Sequence, residues 1–140
     1  PMRSSAASDV YKRQVISYSP LGGGLLTGKY SSVDSSNKNS LGRLHDNSKY
    51  KKRYGQNWMY DAANSLVNLA NDLDYDPIAL AVAWVSYNDA ITAPIISARN
   101  LKQLKPSLDS VEISLDQETY NLISNISPTP PPATDRLEEV

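Results

Sequence analysis

The segment Tyr18-Ser-Pro-Leu-Gly-Gly-Gly-Leu-Leu-Thr-Gly-Lys-Tyr30, entered from the apolar pair Val15-Ile16, holds the residues best suited to chemistry. Consecutive glycines let a backbone approach a ligand closely, because no Cβ intervenes and positive φ is accessible. Successive free N–H groups in such a turn form an anion-binding concavity, to which Lys29 adds a point charge. One reading is a phosphate-bearing ligand held at the carboxyl end of a strand. The other is a tight strand-to-loop turn with no ligand, and the segment alone leaves both open. Gly23 to Lys29 also satisfies G-x-x-x-x-G-K, the core of a nucleotide-triphosphate loop. Tyr30 stands where that loop needs a Ser or Thr hydroxyl for magnesium, and Leu25 and Leu26 are packing residues, so a triphosphate loop is rejected.

The 140 residues carry a net charge of -1 and a pI near 5.8, without the basic face a nucleic-acid binder needs. No cysteine is present, which excludes disulfides and thiolate metal sites and fits a reducing compartment. No apolar run approaches the roughly 20 residues that cross a bilayer. A cytoplasmic protein without membrane or nucleic-acid partners is the expectation. The one histidine, His45, lies in a polar segment and is read as a solvated loop residue, so no metal site is expected. Residues 1–14 show no apolar period and resemble translated adapter read-through. They are expected to pack against nothing, with the native sequence starting near Val15, partway through a longer protein.

The elements that would position the glycine segment follow from periodicity. Val15 to Ser19 reads as a short buried strand ended by Pro20. Ser31 to Tyr54 is rich in Ser, Asn, Lys and Gly, and reads as a long surface loop. Trp58, Ala62, Leu66, Leu69, Ala70 and Leu73 then form one helical stripe. Asp76-Pro77 opens a second helix, with a capping carboxylate and proline at the first helical position. Its two apolar faces, one with Ile78, Ala81, Val82 and Val85 and one with Leu80, Trp84 and Tyr87, place it between layers, with Trp84 in the core. Ala93 to Ala98 reads as a second strand, and its proline is tolerated near the start. Leu101, Leu104 and Leu108 mark a helix from Asn100. Ser114 and Gln117 form a capping box for the last helix. The tail from Pro128 to Val140, with four prolines, is expected to be extended, which leaves 15–127 as the folded unit. Strands separated by helices, with no hairpin signal, imply an α/β fold of right-handed parallel βα units.

Four ordered motifs resemble the carboxyl-terminal part of the aldo-keto reductase family. They are Tyr18-Ser-Pro-Leu-x-x-Gly-Leu-Leu-Thr-Gly-Lys29, Ala79-Leu-Ala-Val-Ala-Trp84, Pro94-Ile-Ile-Ser-Ala-Arg-Asn-Leu-Lys-Gln-Leu104 and the closing Pro-Pro-Ala-Thr-Asp-Arg136. The variant is similar to the branch containing bacterial oxidoreductases and potassium-channel β subunits. The resemblance implies a (β/α)8 TIM barrel of which this chain supplies strands seven and eight. Ligand chemistry in such barrels sits at the carboxyl ends of the strands, where both the turn after Tyr18 and the segment after Ile96 fall.

The resemblance also implies NADPH as cofactor. Tyr18 then flanks the nicotinamide, and Ser19, Pro20, Leu21, Gly22 and Gly23 lie along the pyrophosphate. Lys29 and Arg43 match basic cofactor contacts, while Ser97, Arg99 and Gln103 match the patch around the adenosine 2′-phosphate and ribose. A guanidinium such as that of Arg99 grips phosphate oxygens bidentately. The chain departs from the family at Ser97, where glycine is usual, and at Pro106-Ser107, where a Glu-Asn pair often binds adenine. The Asp, Tyr, Lys and His tetrad that protonates a carbonyl belongs to the first half of the family's barrel, and no residue here matches it. The expected function is the cofactor-binding part of a reductase acting on small carbonyl compounds, with oligomeric state open. The alternative is a non-catalytic nucleotide-sensing subunit of the same fold.

Overall fold

Two short apolar runs meet as the strands β1 (Ile16–Tyr18) and β2 (Ala93–Ile95) of a parallel pair in a computed structural model. The structure describes residues 14–30, 44 and 47–128. Ile16 lies opposite Ala93, Ser17 opposite Pro94 and Tyr18 opposite Ile95. Both strands are shorter than the sequence suggests. β1 stops because Ser19 takes a left-handed φ of 57°, which no strand accommodates. β2 ends at Ile95, and Ile96 to Ala98 leave the pairing instead of extending it to Ala98.

A 3₁₀ turn (Gly22–Thr27) follows β1, and the helices α1 (Ser48–Tyr54), α2 (Asn57–Asp72) and α3 (Pro77–Tyr87) precede β2. After β2 come α4 (Leu101–Asp109), a second 3₁₀ turn (Ser110–Glu112) and α5 (Gln117–Ser124). The order is the βα alternation read from the sequence, with α1 as an addition. The loop expected over Ser31 to Tyr54 is helical at its end. Asn47 accepts the Lys49 N–H at 3.0 Å to cap α1, and Lys51, Lys52 and Arg53 suit the negative end of its dipole. The period rule missed α1 because its only apolar surface is Tyr50 and Tyr54, set among charges. His45, Arg43, residues 1–13 and the tail beyond Pro128 lie outside the described residues.

α3 is the most buried helix, with Ala79 to Ala83 all inside. Asp76 caps it as expected, accepting the Ile78 N–H at 2.7 Å and the Ala79 N–H at 3.4 Å. Asp76→Ala should lower unfolding free energy by about 1 kcal/mol, while Asp76→Asn stays near neutral. Chemical denaturation with fixed slope checks both. Leu66 and Ala70 of α2 pack with Leu80, Ala81 and Ile123 in one core cluster. In the α2 stripe Ala63 replaces Ala62 as the buried position, and Trp58 is 42% exposed.

Trp84 packs against that core from its edge, half-buried, and its indole N–H donates to Ser124 Oγ at 3.0 Å. Its ring stacks on Tyr120, with centroids 5.9 Å apart, which ties α5 to α3. α5 starts one residue pair later than the expected box. Asp116, not Ser114, is the cap, and it accepts the Thr119 N–H at 2.7 Å. That bond holds the Asp116 carboxyl below its ordinary pKa of 3.8. A depressed carboxyl stabilises the fold above its unfolded pKa and loses that contribution as pH falls through the lowered value.

Helix α4 forms where expected, but Leu101 is 81% and Leu108 52% exposed, as is Val111 just beyond it at 81%. Leu104 of the stripe is half-buried, yet no element among the described residues covers Leu101 or Leu108. No helix among the described residues is long and apolar enough to cross a membrane.

Candidate functional site

Parallel strands bring their carboxyl ends to the same side, so the segments after Tyr18 and after Ile95 face one another across a groove of about 670 Å³. On the β1 side the groove is lined by Tyr18, Ser19, Pro20, Leu21 and Gly23, together with Lys29. On the β2 side Ser97, Arg99 and Gln103 line it. Two segments separated by about 75 residues of chain thus converge through strand pairing alone. Ile78, at the start of α3, also reaches the groove.

The glycine turn is built from left-handed residues: φ is 54° at Gly22, 67° at Gly23 and 97° at Gly24. L side chains avoid that region, which is why three glycines stand there. Two of its N–H groups turn inward and do not add to an open concavity. The Gly22 N–H donates to the Ser19 carbonyl and the Gly24 N–H to the Leu21 carbonyl, both at 2.9 Å. Thr27 Oγ1 donates to the Gly24 carbonyl at 2.7 Å, closing the turn on itself. The turn therefore offers a ligand its shape and its lack of side chains, more than unpaired donors. Gly22 is not part of the lining. A Cβ built on it would lie 3.8 Å from the Tyr54 ring.

Lys29 supplies the positive charge on this side. Its amine lies over the Tyr30 ring, 4.8 Å from the centroid, and 3.4 Å from where a Gly24 Cβ would be. Tyr30 is buried, so the cation is steered along the turn. Arg53, at the end of α1, faces the Tyr18 and Tyr54 hydroxyls, and electrostatic attraction to Tyr18 and then Tyr54 raises its pKa. The sequence reading gave Arg53 no role. Its signal is present, since Arg53 ends the basic run Lys51-Lys52-Arg53, but its partner Tyr18 is 35 positions away.

Across the groove, the Arg99 N–H donates to Gln103 Oε1 at 3.1 Å, and Asn100 Oδ1 accepts the Gln103 N–H at 3.0 Å. Asn100 thus caps α4 and fixes Gln103 on its first turn, and Gln103 holds Arg99 just ahead of the helix with its exposed side chain at the groove. Pro106 and Ser107, the family departure near adenine, sit inside α4, with Ser107 buried and bonded to Ser110. Arg43 is outside the described residues. The groove also takes Gly24, Thr27, Ile95, Ile96 and Ala98, which lie inside the two motifs but have no cofactor contact among the expected ones. Ile95 and Ile96 continue the apolar strand and Thr27 the turn, so their places within the motifs are the available signal.

A pair of strand ends, a glycine turn and cations on both flanks form the kind of site that βα proteins place at their carboxyl-terminal face. Residues 9–128 match the family described as "Aldo/keto reductase family", and the chain belongs to that family. It is 32% identical over 116 residues to "Uncharacterized oxidoreductase YrpG" of Bacillus subtilis (strain 168), covering 83% of this chain and 32% of the relative. It is 32% identical over 95 residues to "Aldo-keto reductase" of Babesia bovis, covering 67% of this chain and 33% of that protein. "Aflatoxin B1 aldehyde reductase member 2" of Homo sapiens is 32% identical over 108 residues, covering 68% and 30%. The chain spans about a third of the length of these relatives.

Proposed function

We propose that the groove binds NADPH and that the chain is the carboxyl-terminal, cofactor-holding portion of a (β/α)8 carbonyl reductase. The observation that carries this reading is the convergence of the turn after β1 with Ser97, Arg99 and Gln103 on one groove. A groove of about 670 Å³ also falls in the size range of small-molecule sites. Family membership supports the oxidoreductase chemistry.

In this reading Tyr18 lies against the nicotinamide, and its exposed ring gives a flat apolar surface for it. Ser19, Pro20, Leu21 and Gly23 follow the pyrophosphate, and Lys29 neutralises it. Arg99, held by Asn100 and Gln103, takes the 2′-phosphate through charge-assisted hydrogen bonds. When bound, the cofactor supplies the hydride, and this chain supplies orientation and electrostatics. The proton donor and the substrate pocket come from the remaining two-thirds of the barrel. The substrate class is a small carbonyl compound reduced to an alcohol, in the cytoplasm.

The test is a titration of NADPH fluorescence with the 140-residue chain, competed by 2′,5′-ADP. Saturable emission change, reversed by the competitor, is expected. A flat titration with chain shown to be folded by circular dichroism would overturn the assignment.

A further inference from the structure

The glycine turn has a second side, and tyrosines occupy it. A Cβ built on Gly23 would stand 2.7 and 2.9 Å from two carbons of the Tyr50 ring and 3.3 Å from Tyr54. Tyr50 and Tyr54 are four residues apart, so they share one face of α1, with ring centroids 6.1 Å apart. They pack with Leu25, Tyr30, Leu44 and Ala63 in a core cluster separate from that of α3. α1 starts on a capped end and finishes at a position that takes only glycine. Asn47 caps its start, and at its end a side chain on Gly55 would collide with the Lys51 carbonyl.

We infer that α1 is a positioning element of the groove, in which the Tyr50 and Tyr54 rings hold the Gly22–Gly24 turn in its ligand-facing shape. Glycine runs lose more conformational freedom on ordering than any other sequence, and this turn has three in left-handed geometry. Hydrogen bonds within the turn leave its position relative to β2 unset. The rings fill the space a side chain would take and set that position, while the opposite side of Gly23 lines the groove. Arg53, on the same helix, reaches the groove residue Tyr18 and extends the arrangement to the strand end.

The inference rests on the proposed cofactor site only for its ligand measurements. In the 140-residue chain, Tyr50→Ala and Tyr54→Ala are expected to shift and broaden the amide resonances of Gly22, Gly23 and Gly24, while Leu80 and Ile123 methyl signals stay in place. If truncation leaves the competent turn about one-tenth populated, the apparent Kd for NADPH rises about tenfold. 2′,5′-ADP, which reaches only the Arg99 and Gln103 side, should change by less than about twofold. Tyr50→Phe keeps the ring and should restore NADPH binding, which a role for the hydroxyl would not allow. Leucine at either position keeps the core filled without a ring plane, and decides the matter where alanine unfolds the chain. Unmoved glycine resonances, or equal losses for NADPH and 2′,5′-ADP, would overturn the inference. Should the unmodified chain bind neither ligand, the cofactor assignment fails, and the glycine resonances alone still decide the role of the tyrosines.

Discussion

Replacing Arg99 by alanine is expected to weaken NADPH binding about tenfold to a hundredfold, with NADH held within about twofold. The range follows from hydrogen bonds to charged groups, worth about 1.5–3 kcal/mol each. NADPH and NADH differ by the 2′-phosphate alone, so a residue that meets only that group separates them. Arg99 suits the role because its backbone N–H is anchored on Gln103, whose own N–H is held by Asn100, while its side chain remains at the groove. Lys29 lies on the opposite wall, along the turn assigned to the pyrophosphate, so Lys29→Ala should weaken both cofactors alike. Because Arg99 is exposed, the discrimination should also shrink as salt rises. Isothermal titration of each variant with each cofactor at two ionic strengths reads all of this. Equal losses of NADPH and NADH in Arg99→Ala would remove the residue from the 2′-phosphate site.

Carbonyl-dependent NADPH oxidation by this chain alone is expected to be undetectable, and its unfolding weakly cooperative. The reason is visible on its surface. Side chains alternate along strands, so Ile16, Tyr18, Ala93 and Ile95 share the sheet face turned away from Ser17. Ile16 and Ile95 are each 54% exposed on that face, and Tyr18 69%. Each strand has one partner among the described residues, which leaves two hydrogen-bonding edges open. Leu101, Leu108 and Val111 are open as well. Further βα units would pair both edges, cover these side chains and enclose the sheet face, as closure of a barrel does. They would also bring the proton donor that the resemblance places in the first half. On the proposed reading, joining this chain to six βα units of an aldo-keto reductase barrel should therefore restore both a single sharp unfolding transition and aldehyde-dependent NADPH oxidation. Turnover by the chain alone would refute the claim that its catalytic residues lie elsewhere.

What the sequence by itself determined was local. The Asp76-Pro77 start, the stripe of α2, the two strands and the alternation of strand and helix depend on neighbours within a turn or two of chain. Such features are set by capping, φ restriction and period, and all are readable in one dimension. The motifs on either side of the groove were likewise legible, because each is contiguous. Their meeting followed from the parallel pairing that βα order implies.

Tertiary structure decided the rest. α1 is helical because Tyr50 and Tyr54 find glycines more than 25 residues earlier, and a period search cannot see a partner at that distance. Gly22, Gly23 and Gly24 look equivalent in sequence, but their φ angles turn Gly22 toward Tyr54, Gly23 toward both tyrosines and the groove, and Gly24 toward Lys29. The sequence leaves open whether the turn's N–H groups are free, because hydrogen bonding to Ser19 and Leu21 depends on the left-handed path between them. Asp116 displaced Ser114 as the cap of α5 by only two residues, a choice made by where the chain leaves the second 3₁₀ turn. Leu101 and Leu108 show the opposite case. Their stripe is correct as a pattern, and no described residue covers these two leucines, because hydrophobic periodicity specifies a face and never what covers it.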